Sequence, residues 1–244
     1  MKKVFSLILS LGLLVGLGGN SLKAQVKIRW FGHSCFLITS KQGVKILTDP
    51  FSPQVGYPIP KVAPDLVVVS HEHFDHNYVQ MAKGNPRIIR GLDEITKDWK
   101  KVDEKFKDVH IYTVASYHDP LKGKLRGKNS ILVIEISGIR IIHLGDLGHL
   151  LSPEQIKKIG RVDVLMIPVG GVFTIDARQA DQVINQLNPK LIFPMHYKTE
   201  VCKLSINGLE GFIKDKDNVK KMGKNLFVID KLPEKPEIIV LSWK

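Results

Sequence analysis

Short apolar runs alternate with turn-forming residues along most of the chain. Twelve of these runs have the length and the content of β-branched or aromatic residues that strands favour. In chain order they are KIRWF, CFLITS, VKILTD, DLVVVS, RIIR, HIYTVAS, ILVIEIS, IRIIHLG, VDVLMIPV, KLIFPM, LFVI and EIIVLSW. The pattern therefore predicts a protein built mainly from strands.

Helical patterns are fewer, and two of them carry clear end signals. In SPEQIKKIG, Ser152 is a predicted N-cap, Pro153 takes the first helical position, and Gly160 ends the pattern. The segment DARQADQVINQLNP extends from a predicted N-cap at Asp176 to Pro189, which cannot continue a helix. The stretches NYVQMAKG and LDEITKDWKK are weaker helix candidates. Many strands with a few helices predict a layered α/β domain, two sheets covered by helices.

The N-terminal segment has a pattern of its own. MKK is basic, VFSLILSLGLLVGLGG is apolar and uncharged, and NSLKA ends in a small residue. This is typical of a secretory signal peptide over residues 1–24, so we expect an exported protein, periplasmic or extracellular, with a mature domain over residues 25–244. The alternative is an uncleaved membrane anchor. Against it, the run is shorter than the ~20 residues that a span requires, so we expect no stable membrane span after signal cleavage.

Composition and charge limit the remaining possibilities. With 244 residues, 43% of them hydrophobic and 25% charged, the chain can form an ordinary globular core without metals or disulfides. The net charge is +12, and the mature chain keeps +9 because Lys2, Lys3 and Lys23 are removed. This favours an anionic small-molecule partner. Scattered lysines and export argue against nucleic acid. Export also permits a disulfide, but the sequence leaves open whether Cys35 and Cys202 meet.

One stretch concentrates titratable side chains. SHEHFDHN, residues 70–77, follows the predicted strand DLVVV and contains three of the nine histidines of the chain. Neutral imidazole and carboxylate are ligands for zinc, manganese and iron. A metal is therefore a better explanation for this composition than a solvated loop.

Other candidate ligands also follow predicted strands. Ligand sites in α/β proteins gather at the ends of strands, where rigid elements bring distant segments together. His71 and His73 are two residues apart, so they point the same way in extended backbone. The predicted site thus divides into two groups, with Asp146 able to bridge both: His71, His73 and His118 in one, and Asp75, His76 and His196 in the other. Asp49 also follows a predicted strand.

At these residues the chain resembles the metallo-β-lactamase superfamily. HEHFDH matches its H-x-H-x-D-H motif, and the later His118, Asp146 and His196 follow in the family's order. The resemblance extends over the mature chain and is strongest to ascorbate-6-phosphate-lactonase-like and related hydrolases, whose chains also begin with motifs like GHSCFLI and ILTDPF. It implies a four-layer αββα sandwich and two divalent metal ions, zinc or else manganese or iron. It also implies that all seven residues above are ligands and that Asp49 supports a ligand from behind.

The resemblance implies a hydrolase in which a metal-bridging hydroxide cleaves an ester, lactone or phosphoester bond. Asp75 and Asp146 are the predicted catalytic residues. A non-catalytic exported metal-binding protein is the alternative. A true β-lactamase is disfavoured because those enzymes lack the bridging carboxylate, and a di-iron oxidoreductase because that branch usually has Glu at the position of His73. A nuclease would need an added nucleic-acid-clamping domain.

Several residues near the motif carry further expectations. The loop DPLKGKLRGKNS begins beside His118, and its Arg126 and Lys128 are predicted to bind an anionic substrate. A solvated turn is the alternative. Glu72 is expected to be a solvated or capping group, and His33 either lines the site or is a core histidine.

Overall fold

Fourteen strands form two sheets in the computed structural model, which describes residues 25–244. The predicted signal peptide, residues 1–24, lies outside the described residues. The strands are β1 (Val26–Gly32), β2 (Cys35–Thr39), β3 (Lys45–Thr48), β4 (Leu66–Val69), β5 (Arg87–Arg90), β6 (Asp103–Phe106), β7 (Val109–Tyr117), β8 (Lys128–Ile136), β9 (Ile139–His143), β10 (Val164–Pro168), β11 (Leu191–Met195), β12 (Val219–Lys221), β13 (Leu226–Ile229) and β14 (Glu237–Val240).

Both sheets mix parallel and antiparallel pairs. The six-stranded sheet has the order β13-β1-β2-β3-β4-β5, and its β3, β4 and β5 run parallel. The eight-stranded sheet has the order β12-β14-β11-β10-β9-β8-β7-β6, with β9, β10 and β11 parallel. Since β7 and β9 are each antiparallel to β8, β7 runs in the same direction as β9 and β11. The C-terminal ends of β7, β9 and β11 therefore lie at one edge.

The strands are buried because both of their faces are covered. Leu66 and Val68 of β4 belong to a large apolar core that contains residues of both sheets. The alternate residues Val67 and Val69 belong to a second apolar cluster with Phe51. The period of two explains why β4 is a continuous apolar run, since each face packs against its own partner. The predicted sandwich of two sheets is confirmed.

The two helices with clear end signals form as predicted. These are α1 (Pro153–Ile159) and α2 (Ala177–Leu187), and a third, α3 (Glu210–Ile213), is a single turn. The side chains of Ser152 and Asp176 each accept a hydrogen bond from the backbone N–H three residues later. The glutamine at that later position accepts the backbone N–H of the capping residue with its own side chain. These reciprocal bonds satisfy N–H groups that have no partner within the helix. Among residues 25–244, no helix combines the length and apolar character needed to cross a bilayer.

The two weaker helix predictions are wrong. NYVQMAKG contains only a 3₁₀ turn at Val79–Met81, and LDEITKDWKK forms a turn. In that turn the Asp93 carboxylate accepts the N–H groups of Ile95 and Thr96, which competes with helix formation. The pattern also missed β6 and β12, because these edge strands are charged sequences, DEKF and VKK, without an apolar face.

The two cysteines do not pair with each other. Cys35 and Cys202 are buried free thiols in the same apolar cluster. Cys35 Sγ lies 3.9 Å from Met81 Sδ. Cys35 therefore packs as a small hydrophobic residue.

Candidate metal centre

Strand direction brings the candidate ligands together. The motif His71 to His76 follows β4, and Asp49 follows the adjacent parallel strand β3. His118, Asp146 and His196 follow β7, β9 and β11, whose C-terminal ends share an edge of the other sheet. The site thus lies where both sheets end, and its backbone is held by strands rather than by long loops.

The first group contains His71, His73 and His118. One ring nitrogen of each lies within 4.8 Å of those of the other two. His71 Nε2 and His73 Nδ1 are 3.2 Å apart. The three imidazoles converge as the sequence predicted, which is the arrangement of a three-histidine metal site.

The second group contains Asp75, His76 and His196, and the structure adds His33 to it. One nitrogen or oxygen of each of the four lies within 4.8 Å of the others. His33 Nε2 lies 3.1 Å from Asp75 Oδ2. His33 has a φ of 50°, in a turn between β1 and β2, and its carbonyl oxygen accepts the backbone N–H of His196. This turn places His33 beside the site. The sequence had left open whether His33 lines the site or is a core histidine.

Asp146 lies between the two groups. Its Oδ2 is 3.0 Å from His118 Nε2 and 3.3 Å from His196 Nε2, and its Oδ1 is 3.1 Å from His76 Nε2. The carboxylate is buried. Because its two oxygens face histidines of both groups, Asp146 has the position that a bridging ligand requires.

Asp49 supports the histidines from behind. Its Oδ2 lies 2.8 Å from His76 Nδ1 and accepts the Ser70 hydroxyl at 2.7 Å, while its Oδ1 accepts the Ser70 backbone N–H. Ser70 Oγ in turn lies 2.9 Å from His71 Nδ1. The Nδ1 atoms of His71 and His76 therefore contact Ser70 and Asp49, and their Nε2 atoms face the centre. The sequence assigned no role to Ser70.

The local electrostatics keep part of the centre in ligand form. Burial holds the pKa of His71 well below its usual range and also lowers that of His73. Burial would raise the pKa of Asp146, but the surrounding imidazoles of His196, His76 and His118 hold it well below its usual range. Neutral imidazole and ionised carboxylate are the forms that coordinate a metal.

Unpartnered polar atoms test whether these residues fit a metal. Within residues 25–244, five buried atoms of the centre have no hydrogen-bond partner: His33 Nδ1, His76 Nε2, His118 Nδ1, Asp146 Oδ1 and His196 Nδ1. A buried polar atom without a partner costs free energy and calls for a reason. His76 Nε2 and Asp146 Oδ1 face each other without a hydrogen bond. Two atoms that coordinate the same cation would have this arrangement. The donor set fits divalent metal ions.

The other residues discussed in the sequence lie outside the two groups. His143 Nε2 donates to Ser34 O, and His149 accepts the backbone N–H of Tyr117, so both side chains hold backbone groups of neighbouring segments. Glu72 differs from the expectation of a solvated or capping group. Its carboxylate accepts two hydrogen bonds from Arg90 at 3.0 and 2.9 Å and is largely buried.

A cavity of about 510 Å³ opens onto the centre. Arg126 lines it, together with His73, Asp75, Asp146 and others, and its contact with an anionic substrate stays a prediction. Lys128 does not line it. Its Nζ lies 2.7 Å from Asp98 and 4.5 Å from the centroid of the Trp99 ring. Since Lys128 begins β8 while Arg126 lies in the preceding loop, the two side chains have different surroundings, and Lys128 does not share the cavity with Arg126.

The loop that carries Arg126 is organised around Asp119. The buried Asp119 carboxylate accepts the backbone N–H groups of Leu121, Gly123, Leu125 and Arg126. Burial would raise the pKa of Asp119, but these N–H groups lower it overall. The loop is therefore a turn whose backbone is fixed by one carboxylate.

Two mixed sheets with histidines and aspartates converging at their strand ends define a metallohydrolase-type sandwich. A family model described as a β-lactamase superfamily domain matches residues 27–196. A relative from Thermoplasma volcanium, named UPF0173 metal-dependent hydrolase, is 32% identical over 193 residues, covering 71% of this chain and 84% of the relative. The chain therefore belongs to the β-lactamase superfamily, within its family of UPF0173 metal-dependent hydrolases.

Solved structures agree with this assignment. A structure from Thermotoga maritima, described as a candidate zinc-dependent hydrolase of the metallo-β-lactamase superfamily, is 38% identical with a TM-score of 0.72, over 88% of this chain and 98% of that chain. A candidate metal-dependent hydrolase from Parabacteroides distasonis is 18% identical with a TM-score of 0.60, over 89% of this chain and 94% of that chain. The second likeness shows the fold alone. The fold and family expected from the motif are confirmed.

Proposed function

We propose that the chain is an exported hydrolase with two divalent metal ions that cleaves an ester, lactone or phosphoester bond of a small anionic substrate. One observation carries this proposal: two histidine-rich groups share Asp146 and open onto a single cavity. Zinc is the proposed metal, with manganese and iron as alternatives, because imidazole-rich sites suit all three. The description of the Thermotoga maritima relative supports zinc.

The residues of the chain have separate roles in this proposal. One ion would be held by the first group and the other by the second, with Asp146 between them. Ions held there would supply a water-derived nucleophile near neutral pH and polarise the substrate oxygen. Asp49 and Ser70 keep His76 and His71 oriented. Asp75 borders the cavity and accepts from His33, so its carboxylate can orient the attacking water.

Arg126 supports an anionic substrate. It lines the cavity on the same loop as Lys122 and Lys124, which are exposed. Exposed cations at the mouth of a site attract anions over about a Debye length, ~8 Å at physiological salt. The guanidinium is the group that would contact the substrate directly.

The non-catalytic alternative has less support. A protein that only stores or scavenges a metal needs a closed site, whereas a cavity large enough for a small-molecule substrate opens onto this one. The family to which the chain belongs is also one of hydrolases.

An activity screen tests the proposal. The mature protein is reconstituted with zinc, manganese or iron and assayed against carboxylic esters, lactones, phosphomonoesters, phosphodiesters and β-lactams. We expect turnover in at least one ester, lactone or phosphoester class and its loss in chelator-treated protein. Metal-loaded protein without turnover in any of these classes, or with turnover of β-lactams alone, would contradict it.

A further inference from the structure

The cavity above the metal centre has apolar walls. Besides the polar residues of the centre, it is lined by Phe74, Leu125, Phe173 and Leu204. Three of these side chains are largely exposed: Phe74 by 47%, Leu125 by 63% and Phe173 by 38%. Single exposed hydrophobic residues are common, but several around one cavity indicate a surface that binds an apolar group.

Different backbone contacts position Phe74 and Phe173. Phe74 lies inside the metal motif, between His73 and Asp75, and its carbonyl oxygen accepts the Ser52 N–H. Phe173 belongs to the turn that follows β10. This turn passes so close to His196 that a Cβ atom on Gly170 would lie 2.2 Å from the His196 carbonyl oxygen. Phe74 therefore lies on a segment that carries candidate ligands, and Phe173 lies on a turn that packs against the segment with His196.

Leu125 and Phe173 lie on two loops that Arg126 joins. The Arg126 Nη2 donates to Val172 O at 3.1 Å, and its guanidinium lies 5.7 Å from the centroid of the Phe173 ring. Leu125 precedes Arg126 in the turn around Asp119, where its own N–H is bonded to the carboxylate. The two loops thus form one wall, and the hydrogen bonds of the turn do not depend on the Leu125 side chain.

The charge of the cavity is small beside its apolar surface. Among its lining residues in the described part of the chain, Arg126 is the single Lys or Arg. Part of its donor capacity is already used by Val172. Glu72, which also lines the cavity, is neutralised by Arg90. Outside the metal centre, a substrate recognised by charge alone would meet one cation, Arg126, and four apolar side chains.

We propose that the substrate is amphipathic, with an apolar alkyl or acyl chain against Phe74, Leu125, Phe173 and Leu204 and its scissile, anionic end toward the metal centre and Arg126. The cavity of about 510 Å³ has the size of sites for small organic ligands. This inference rests on the proposed hydrolase function and specifies its substrate class.

Straight-chain carboxylates from acetate to octanoate test the inference by binding rather than by turnover. The carboxylate represents the anionic end and the chain represents the apolar group. Calorimetry with the zinc-loaded protein should show Kd falling about 3-fold for each added methylene until the wall is covered. In Leu125→Ala, octanoate should bind about 10-fold more weakly, whereas acetate should change less than about 2-fold.

Leu121→Ala is the matched control. Leu121 has the same side chain, lies in the same loop and is 51% exposed, but it does not line the cavity. Its Kd for octanoate should equal that of the wild type. A second test variant, Phe173→Ala, should reproduce the selective loss of octanoate affinity.

The outcomes separate this inference from the function on which it rests. Binding that does not depend on chain length, or no binding of octanoate, overturns the apolar site even if esters are hydrolysed. Equal weakening by Leu121→Ala and Leu125→Ala also overturns it. Chain-length dependence without hydrolysis of any substrate class retains the apolar site and rejects the proposed function.

Discussion

At the scale of single residues, Asp146 contacts more of the centre than any other carboxylate described above. Its oxygens lie within 3.3 Å of His76, His118 and His196. His118 and His196, by contrast, each lie in one group, whereas His71 and His76 also come together with Asp49. Loss of the carboxylate should therefore affect both metal positions, while loss of one histidine should affect mainly its own.

The first prediction concerns metal content. We expect about two ions per mature chain after reconstitution, about one in His118→Ala, and fewer than two with turnover reduced at least ~100-fold in Asp146→Ala. Elemental analysis and steady-state kinetics measure both. His110→Ala is the control, since His110 of β7 pairs with Asp103 of β6 and Glu135 of β8, away from the centre. One ion or fewer in the wild type, or wild-type turnover in Asp146→Ala, contradicts the shared site.

The second prediction concerns substrate charge. Arg126→Ala should raise KM for an anionic substrate ~10-fold or more, because a charge-assisted hydrogen bond contributes about 1.5–3 kcal/mol. Added salt should lower kcat/KM in the wild type. Lys128→Ala should leave KM unchanged, since Lys128 pairs with Asp98 outside the cavity. Unchanged kinetics in Arg126→Ala at low and high salt would mean that Arg126 does not bind the substrate and only contributes to the structure of its loop.

At the scale of elements, the loop between β7 and β8 depends on one buried carboxylate. Asp119 accepts four backbone N–H groups, which would otherwise need other partners. Because its pKa is lowered in the folded state, Asp119 stabilises the fold above the ordinary pKa of about 4. That contribution is lost as the pH falls through the lower pKa of the folded state.

The third prediction follows from this loop. Asp119→Ala should lower the free energy of unfolding by about 1–3 kcal/mol at neutral pH, because four backbone N–H groups lose a charged acceptor. Urea unfolding measures the change in the free energy of unfolding. Faster hydrogen exchange at residues 121–126 would show that the lost stability lies in this loop. Asp98→Ala is the control, since its pair with Lys128 is solvent-exposed and such pairs contribute little. Equal stability of Asp119→Ala and wild type would show that the loop is held by other contacts.

At the scale of the whole molecule, the centre joins the two sheets. Its residues follow β3 and β4 in one sheet and β7, β9 and β11 in the other. A cation bound there would link the sheets and satisfy buried atoms that lack partners. Metal binding should therefore stabilise the whole fold rather than one loop.

The fourth prediction is a loss of thermal stability on metal removal. Metal at about 100 times its Kd contributes about 2.7 kcal/mol, which corresponds to about 5–10 °C in Tm for a domain of this size. Calorimetry before and after chelation measures the change, and added zinc should restore it. The same Tm with and without metal would mean that the folded state does not bind the ions preferentially.

The fifth prediction concerns the N-terminus, residues 1–24. Mass spectrometry of the protein from its native host should find a mature chain that begins at or near Gln25, and fractionation should find it exported. An intact segment from Met1 to Ala24 would favour the membrane-anchor alternative. Neither result affects the site, whose residues all lie after Gln25.

The local sequence was sufficient to predict features that depend on backbone preference or ligand chemistry within a short segment. The caps at Ser152 and Asp176 predicted both longer helices, because capping depends on residues within one turn. The position of candidate ligands after apolar runs predicted their convergence, because strand ends of similar direction meet at an edge. The charged edge strands β6 and β12 carry no such pattern, so they could not be predicted.

The sequence by itself determined the apolar strands, the capped helices, the family and the set of candidate ligands, since each depends on residue type and short-range order. The tertiary structure decided that His33 joins the second group, that Arg126 lines the cavity while Lys128 does not, and that apolar side chains wall it. These outcomes depend on which distant segments approach a given side chain. The turn at His33 and the pair of Lys128 with Asp98 set that approach.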